Sequence, residues 1–80
     1  MELYQCVGIQ KVNFKVPDGN EINGFNLFVV YGADNVEGVK TERIFISDRA
    51  RNNFDYFPSV DDKFNVIYNR YGKVEGFIKR

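Results

Sequence analysis

A chain of 80 residues makes one domain, residues 1–80. At this size only about 60–65% of the unfolded surface is buried on folding, so one core must claim nearly all the apolar side chains. With 44% hydrophobic and 28% charged residues, a formal net charge of +0, one cysteine and no histidine, the composition rules out an internal disulfide framework and argues against disorder. It also argues against a surface that binds nucleic acid through bulk positive charge alone.

The 16% aromatic content, eight Phe and five Tyr without Trp, favours strands, because flat and β-branched side chains fit a pleated, half-buried surface. Met1-Glu2-Leu3-Tyr4-Gln5 carries neither a basic n-region nor an apolar run of signal length. No stretch approaches the roughly 20 apolar residues of a membrane span. A lone cysteine fits a reducing compartment. The expectation is a soluble, cytoplasmic protein without membrane contact.

The first strand is expected from about Leu3 to Val16. Its apolar phase runs on Val7 and Ile9 and then on Val12, Phe14 and Val16, a slip of one residue near Gln10-Lys11. Inside a continuous strand such a slip predicts a β-bulge, with Gly8 easing the bend. Pro17-Asp18-Gly19-Asn20 is a turn. The second strand sets Phe25, Leu27, Val29 and Tyr31 on one face and Asn26, Phe28 and Val30 on the other. After a loop through Gly32–Gly38, a third strand from Val39 to Ile46 puts Ile44 and Ile46 on one side and Arg43 and Phe45 on the other.

Alternation fails from Ser47 to Ser59. Ser47 is placed to cap one helical turn through Asp48-Arg49-Ala50-Arg51, whose leading acid suits the helix dipole, and Pro58 is expected to end it. Val60-Asp61-Asp62 leads into a fourth strand with Phe64, Val66 and Tyr68 in phase. Asn69-Arg70-Tyr71-Gly72-Lys73 is a hairpin turn with glycine at the left-handed position, and Val74 to Lys79 is the last strand.

A long bent strand, a hairpin, a third strand, a short helical segment between strands 3 and 4, and a closing hairpin predict an all-β domain. It is laid out as a small five-stranded, partly open Greek-key barrel of the OB-fold type. An SH3-like barrel is the nearest alternative.

The run from Val60 through Lys63, Phe64, Tyr68, Arg70, Tyr71 and Lys73 to Glu75 resembles the closing hairpin of small single-stranded DNA-binding proteins of filamentous phages and related mobile elements of Gram-positive bacteria. The hairpin from Val7-Gly8-Ile9 to Gly19 is arranged similarly. The resemblance implies a protein that coats single strands, commonly as a homodimer, with no metal or cofactor.

The residue inventory points away from catalysis. Without histidine the commonest general base and metal ligand is missing, and Cys6 has no imidazole to activate it, so it reads as a small core residue. Ser47 and Ser59 lack a base of the triad kind. Asp61 and Asp62 are adjacent and would point to opposite faces of a strand, so they read as a solvated strand entry and not as a metal site. Neither a metal nor a cofactor is expected.

Binding is the better reading. Single strands are held without sequence preference by aromatic side chains on which bases stack, interleaved with cations that follow the phosphates. Phe28, Phe45 and Tyr71 are the candidate stacking residues, the last at a hairpin tip between Arg70 and Lys73. Lys40, Arg43, Arg49, Arg51, Arg70 and Lys73, with Lys11, are the cations that would complement them. From Lys63 onward the cations Lys63, Arg70, Lys73, Lys79 and Arg80 face only Glu75, so one basic surface is possible despite zero net charge. Solvated surface charge is the plain alternative for each cation, and burial in a dimer interface for each aromatic. The expected partner is single-stranded DNA or RNA, with a homodimer as a further possibility. The competing function is a protein-interaction module, or a small inhibitor encoded by a phage or mobile element.

Overall fold

The alternating segments of the chain all form strands. The computed structural model describes residues 2–80, with β1 at Tyr4–Lys15, β2 at Glu21–Tyr31, β3 at Lys40–Ser47, α1 at Asp48–Arg51, β4 at Lys63–Tyr68 and β5 at Val74–Lys79. The strands make one sheet in the order β3-β2-β1-β4-β5, antiparallel at every pairing. In a flat sheet β3 and β5 would stand about 19 Å apart, four spacings of about 4.8 Å. Instead Phe45 and Ile46 of β3 line one cleft with Val74 of β5. The sheet has curled until its edges face each other without pairing, which is the partly open, OB-like barrel.

The inner side of the curl holds the core: Tyr4, Cys6, Leu27, Val29, Ile44, Ile46, Phe64, Val66 and Phe77. Phe64 stacks on Tyr4 at 5.9 Å and meets Phe77 edge-on at 5.4 Å. The α1–β4 connection adds Phe54 and Phe57 against Phe77, both near-perpendicular. Aromatic pairs of this geometry gain about 0.5–1.5 kcal/mol beyond burial. Cys6 is fully buried, and burial pushes its thiol pKa up, so it is the small core residue its sequence context suggested.

The bulge lies elsewhere than the apolar pattern indicated. Cys6 pairs with Val29 and Gly8 with Phe28, which leaves Val7 as the extra residue, and the register then runs unbroken through Gln10 and Lys11. Around the bulge β1 changes partners: Cys6 donates to the Asp62 carbonyl at 2.9 Å and accepts from the Asp61 amide at 2.7 Å. The slip at Gln10-Lys11 has another cause. Ile9 faces the core side opposite Leu27, whereas Val12 and Phe14 face the opposite side, across from Gly24 and Ile22. The β1–β2 ribbon runs past the end of the core, giving the molecule its 43 Å long axis, and there its apolar residues change face.

Ser47 caps α1, accepting from the Ala50 amide at 3.2 Å. The helix is only the four residues Asp48–Arg51 and ends at Asn52, not at Pro58. Pro58 is instead among the fully buried side chains. Asp61 and Asp62 lead into β4 as expected, Asp61 exposed and Asp62 partly so, but Asp62 also has local partners. Asp61 sits in a left-handed turn at φ 76°, and Asp62 accepts from the Tyr56 hydroxyl at 2.6 Å and the Ser59 amide at 3.0 Å. Those two donors hold the Asp62 carboxyl below its ordinary pKa, the Tyr56 hydroxyl most.

Candidate functional site

Strand alternation gives the β1–β2–β3 half of the sheet an outer side, and pairing register assembles it in rows. Gly8, Phe28 and Arg43 lie abreast, then Gln10, Asn26 and Phe45, then Val12, Gly24 and Ser47, and beyond the end of β3 Phe14 lies beside Ile22. The acids of these strands, Glu21 and Glu42, alternate to the inner side, where they pair with Lys15 and Val29. The outer rows therefore contain a cation, Arg43, and no acid.

One aromatic ring of this surface lies on glycine. A Cβ on Gly24 would come within 2.6 Å of Phe45 Cζ and 2.5 Å of the Ile46 carbonyl oxygen. The missing side chain is thus the space into which the Phe45 ring settles, on the strand diagonal and two residues along from its pairing partner Asn26. Gly8 is different: a Cβ there would stand 3.5 Å from Phe28 Cδ2, an ordinary contact. Both rings remain open to solvent, Phe28 at 38% and Phe45 at 42% exposure. Diagonal neighbours on paired strands are about 7–8 Å apart, so the two rings form consecutive steps on one face.

Arg43 stands between two hollows. One, of about 390 Å³, is lined by Val12, Phe14, Ile22, Asn26, Arg43 and Phe45. The other, of about 340 Å³, is lined by Val7, Phe28, Val29, Val30, Thr41 and Glu42 with Arg43. Past Phe45 the surface continues into the cleft between the sheet edges, of about 430 Å³, where Lys73 faces Ser47 and Ala50.

The sequence candidates therefore fall into three places. Phe28, Arg43 and Phe45 share the outer face, and Lys73 joins them through the cleft. Arg70 and Tyr71 occupy the β4–β5 turn, where Asn69 Oδ1 accepts from the Tyr71 and Lys73 amides and Gly72 takes φ 77°. Tyr71 is 73% exposed, and the Arg70 guanidinium lies 5.1 Å over its ring. The remaining cations point elsewhere. Lys40 pairs with Tyr31 on the inner side, its Nζ 5.9 Å from that ring. Arg51 packs on Phe57 and Phe25, at 4.8 and 5.3 Å, and Lys11 reaches the Phe25 ring from the same side. Arg49 is exposed on α1.

Gln10, Val12, Phe14, Ile22 and Asn26 belong to this surface and were not singled out from sequence. A signal for them existed: the change of apolar phase at Gln10-Lys11 marks where the outer side of the ribbon becomes the apolar one. Among the described residues no group of three or more Cys, Asp or Glu is placed to hold a metal ion, and no helix is long and apolar enough to cross a membrane. In comparison with known proteins, no family model matches this chain, and no curated protein or solved structure is significantly similar to it.

Proposed function

We propose that the outer face of β1, β2 and β3 binds single-stranded nucleic acid, most readily DNA, in a cytoplasmic and non-catalytic role. The observation that carries this reading is the pair of exposed rings, Phe28 and Phe45 with the latter seated on Gly24, around Arg43 on rows that contain no acid. A flat ring held from beneath presents its free side to a base, and each such stack contributes about 1–3 kcal/mol. Arg43, between the two rings, meets the phosphate that links the stacked nucleotides. Lys73 extends the track through the cleft toward Arg70 and Tyr71. In barrels of this type the face of strands 2 and 3 is also where oligonucleotides bind, and the likeness of the closing hairpin to phage single-stranded DNA-binding proteins points the same way. Stacking alone is tolerant of sequence, so broad affinity across single strands is the basic behaviour.

The second reading, a protein-interaction module or a homodimer interface, draws on the exposed Phe14 beside Val12 and Ile22, since apolar patches mark association. Binding of a labelled oligonucleotide at low and at high salt separates the two. Nucleic-acid binding predicts measurable affinity at low salt that falls as salt rises, by about 0.7 in the slope of log affinity against log salt for each phosphate contacted. Absence of binding to single strands of any composition at low salt leaves the protein-interaction reading in its place.

A further inference from the structure

Asn26 is the one polar side chain buried at the floor of the outer face. It is 8% exposed, in the middle of the row Gln10–Asn26–Phe45, and it lines the open hollow shared with Val12, Phe14, Ile22, Phe45 and Arg43. A buried amide needs partners for two N–H groups and one carbonyl. Within the described residues the Asn26 side chain makes a single bond, donating from Nδ2 to Gln10 Oε1 at 3.4 Å, which is longer than an ordinary N–H···O bond. Its remaining atoms are not sealed from solvent as Asp48 Oδ1 is. Across the sheet the same position is open to the flat, exposed ring of Phe45.

We infer that this hollow reads a base, with the Asn26 amide recognising the edge of the nucleobase that stacks on Phe45. This rests on the single-strand reading above and deepens it. The bond to Gln10 uses one N–H and fixes the amide plane, leaving Oδ1 and the second N–H side by side as an acceptor and a donor. Adenine matches that pair best. Its exocyclic amino group and neighbouring ring nitrogen are the usual bidentate partner of an asparagine amide, and its fused rings cover more of Phe45 than a pyrimidine does. Arg43 at the rim supplies the cation for the adjoining phosphate, and Val12, Phe14 and Ile22 give the hollow an apolar side against which a base can lie. A buried amide abreast of an exposed aromatic ring gives this site selectivity that stacking alone does not.

The test uses the full chain and labelled homo-oligonucleotides of adenine, cytosine and thymine of equal length, titrated by fluorescence anisotropy at low salt. The readout is the ratio of dissociation constants between oligonucleotides, which a uniform change of affinity does not move. Wild type should favour the adenine strand by at least about fivefold, the low end of what one base-edge pair discriminates. Asn26→Asp, which replaces the donor by a second acceptor, should reduce that ratio to within about twofold of unity. Gln10→Ala, at an exposed position, should lower the ratio without loss of fold, so the inference remains testable if Asn26→Asp unfolds. Equal binding of all three strands by wild type, or an adenine preference that survives both substitutions, overturns base reading while leaving single-strand binding intact. No binding to any strand overturns both.

Discussion

Strand β2 is apolar on both faces, and the two faces meet different fates. On the inner side Leu27 and Val29 are sealed in the core with Cys6, Ile44 and Phe64, with essentially no surface left to water. On the outer side Phe28 stays open, Gly24 carries no side chain, and Asn26 is covered only by its neighbours and the hollow above it. The inner face is explained by stability, since each large side chain buried there contributes about 1.5–3 kcal/mol. Exposed rings gain little of that. Their arrangement around one arginine, with Phe45 over Gly24, makes sense as a surface that is covered only when something binds.

The largest expected difference between the faces is in stability. Phe64→Ala, at the fully buried centre of the aromatic cluster, should lose about 3–5 kcal/mol, read as a lowered denaturant midpoint. Phe45→Ala removes a ring nearly half exposed and should cost far less in the same measurement. The ranking reverses for binding: Phe45→Ala should weaken single-strand affinity by about 1–3 kcal/mol with the salt slope almost unchanged, because stacking releases no counterions. Tyr71→Ala should cost less, as Arg70 already lies over the Tyr71 ring. Equal losses of stability for Phe64→Ala and Phe45→Ala would erase the distinction between the faces.

A smaller effect separates cations on the two sides. Arg43→Ala should reduce the slope of log affinity against log salt by about 0.7, while Lys40→Ala, directed toward Tyr31 on the inner side, should leave it unchanged. Matched slopes for the two variants would place the phosphate track somewhere other than the outer face.

The smallest effect is acid sensitivity at the turn that joins β4 to the bulge of β1. Asp62 is held below its ordinary pKa by the Tyr56 hydroxyl and then by the Ser59 amide. A depressed carboxyl contributes stability that is present above its unfolded pKa and is lost as pH falls through the folded one. Stability should therefore decline on acidification below about pH 4, the ordinary carboxylate range, and Asp62→Asn should flatten that decline in thermal melts. A decline unchanged in the variant assigns it to other carboxylates.

How far the residues foretell this arrangement depends on which periodicity they obey. Phe25-Leu27-Val29-Tyr31 and Ile44-Ile46 alternate cleanly because one face is buried, so the core, the strand positions and the outward placement of Phe28, Arg43 and Phe45 were legible. The Ser47 cap was legible as well, since it is local chemistry. The bulge at Val7 was not, because it is a matter of register against Val29 and Phe28, set where Cys6 also bonds Asp61 and Asp62, far along the chain. The destinations of Lys40 and Arg51 were hidden for a related reason. Whether a long cation follows a phosphate or packs on Tyr31 or Phe57 is decided by tertiary neighbours that alternation does not reveal. Asn26 and Gln10 read as ordinary polar strand residues until the register sets them abreast of Phe45.

The most direct test of the central claim is amide chemical-shift mapping on the isotopically labelled chain during titration with a single-stranded oligonucleotide. Binding on the outer face predicts the largest shifts at Gly8, Gln10, Asn26, Phe28, Arg43 and Phe45, with smaller ones at Lys73 and little change at Tyr56 and Asp62. Shifts concentrated around Lys40, Arg51 and Phe57, or none along the rows of the outer face, would contradict it.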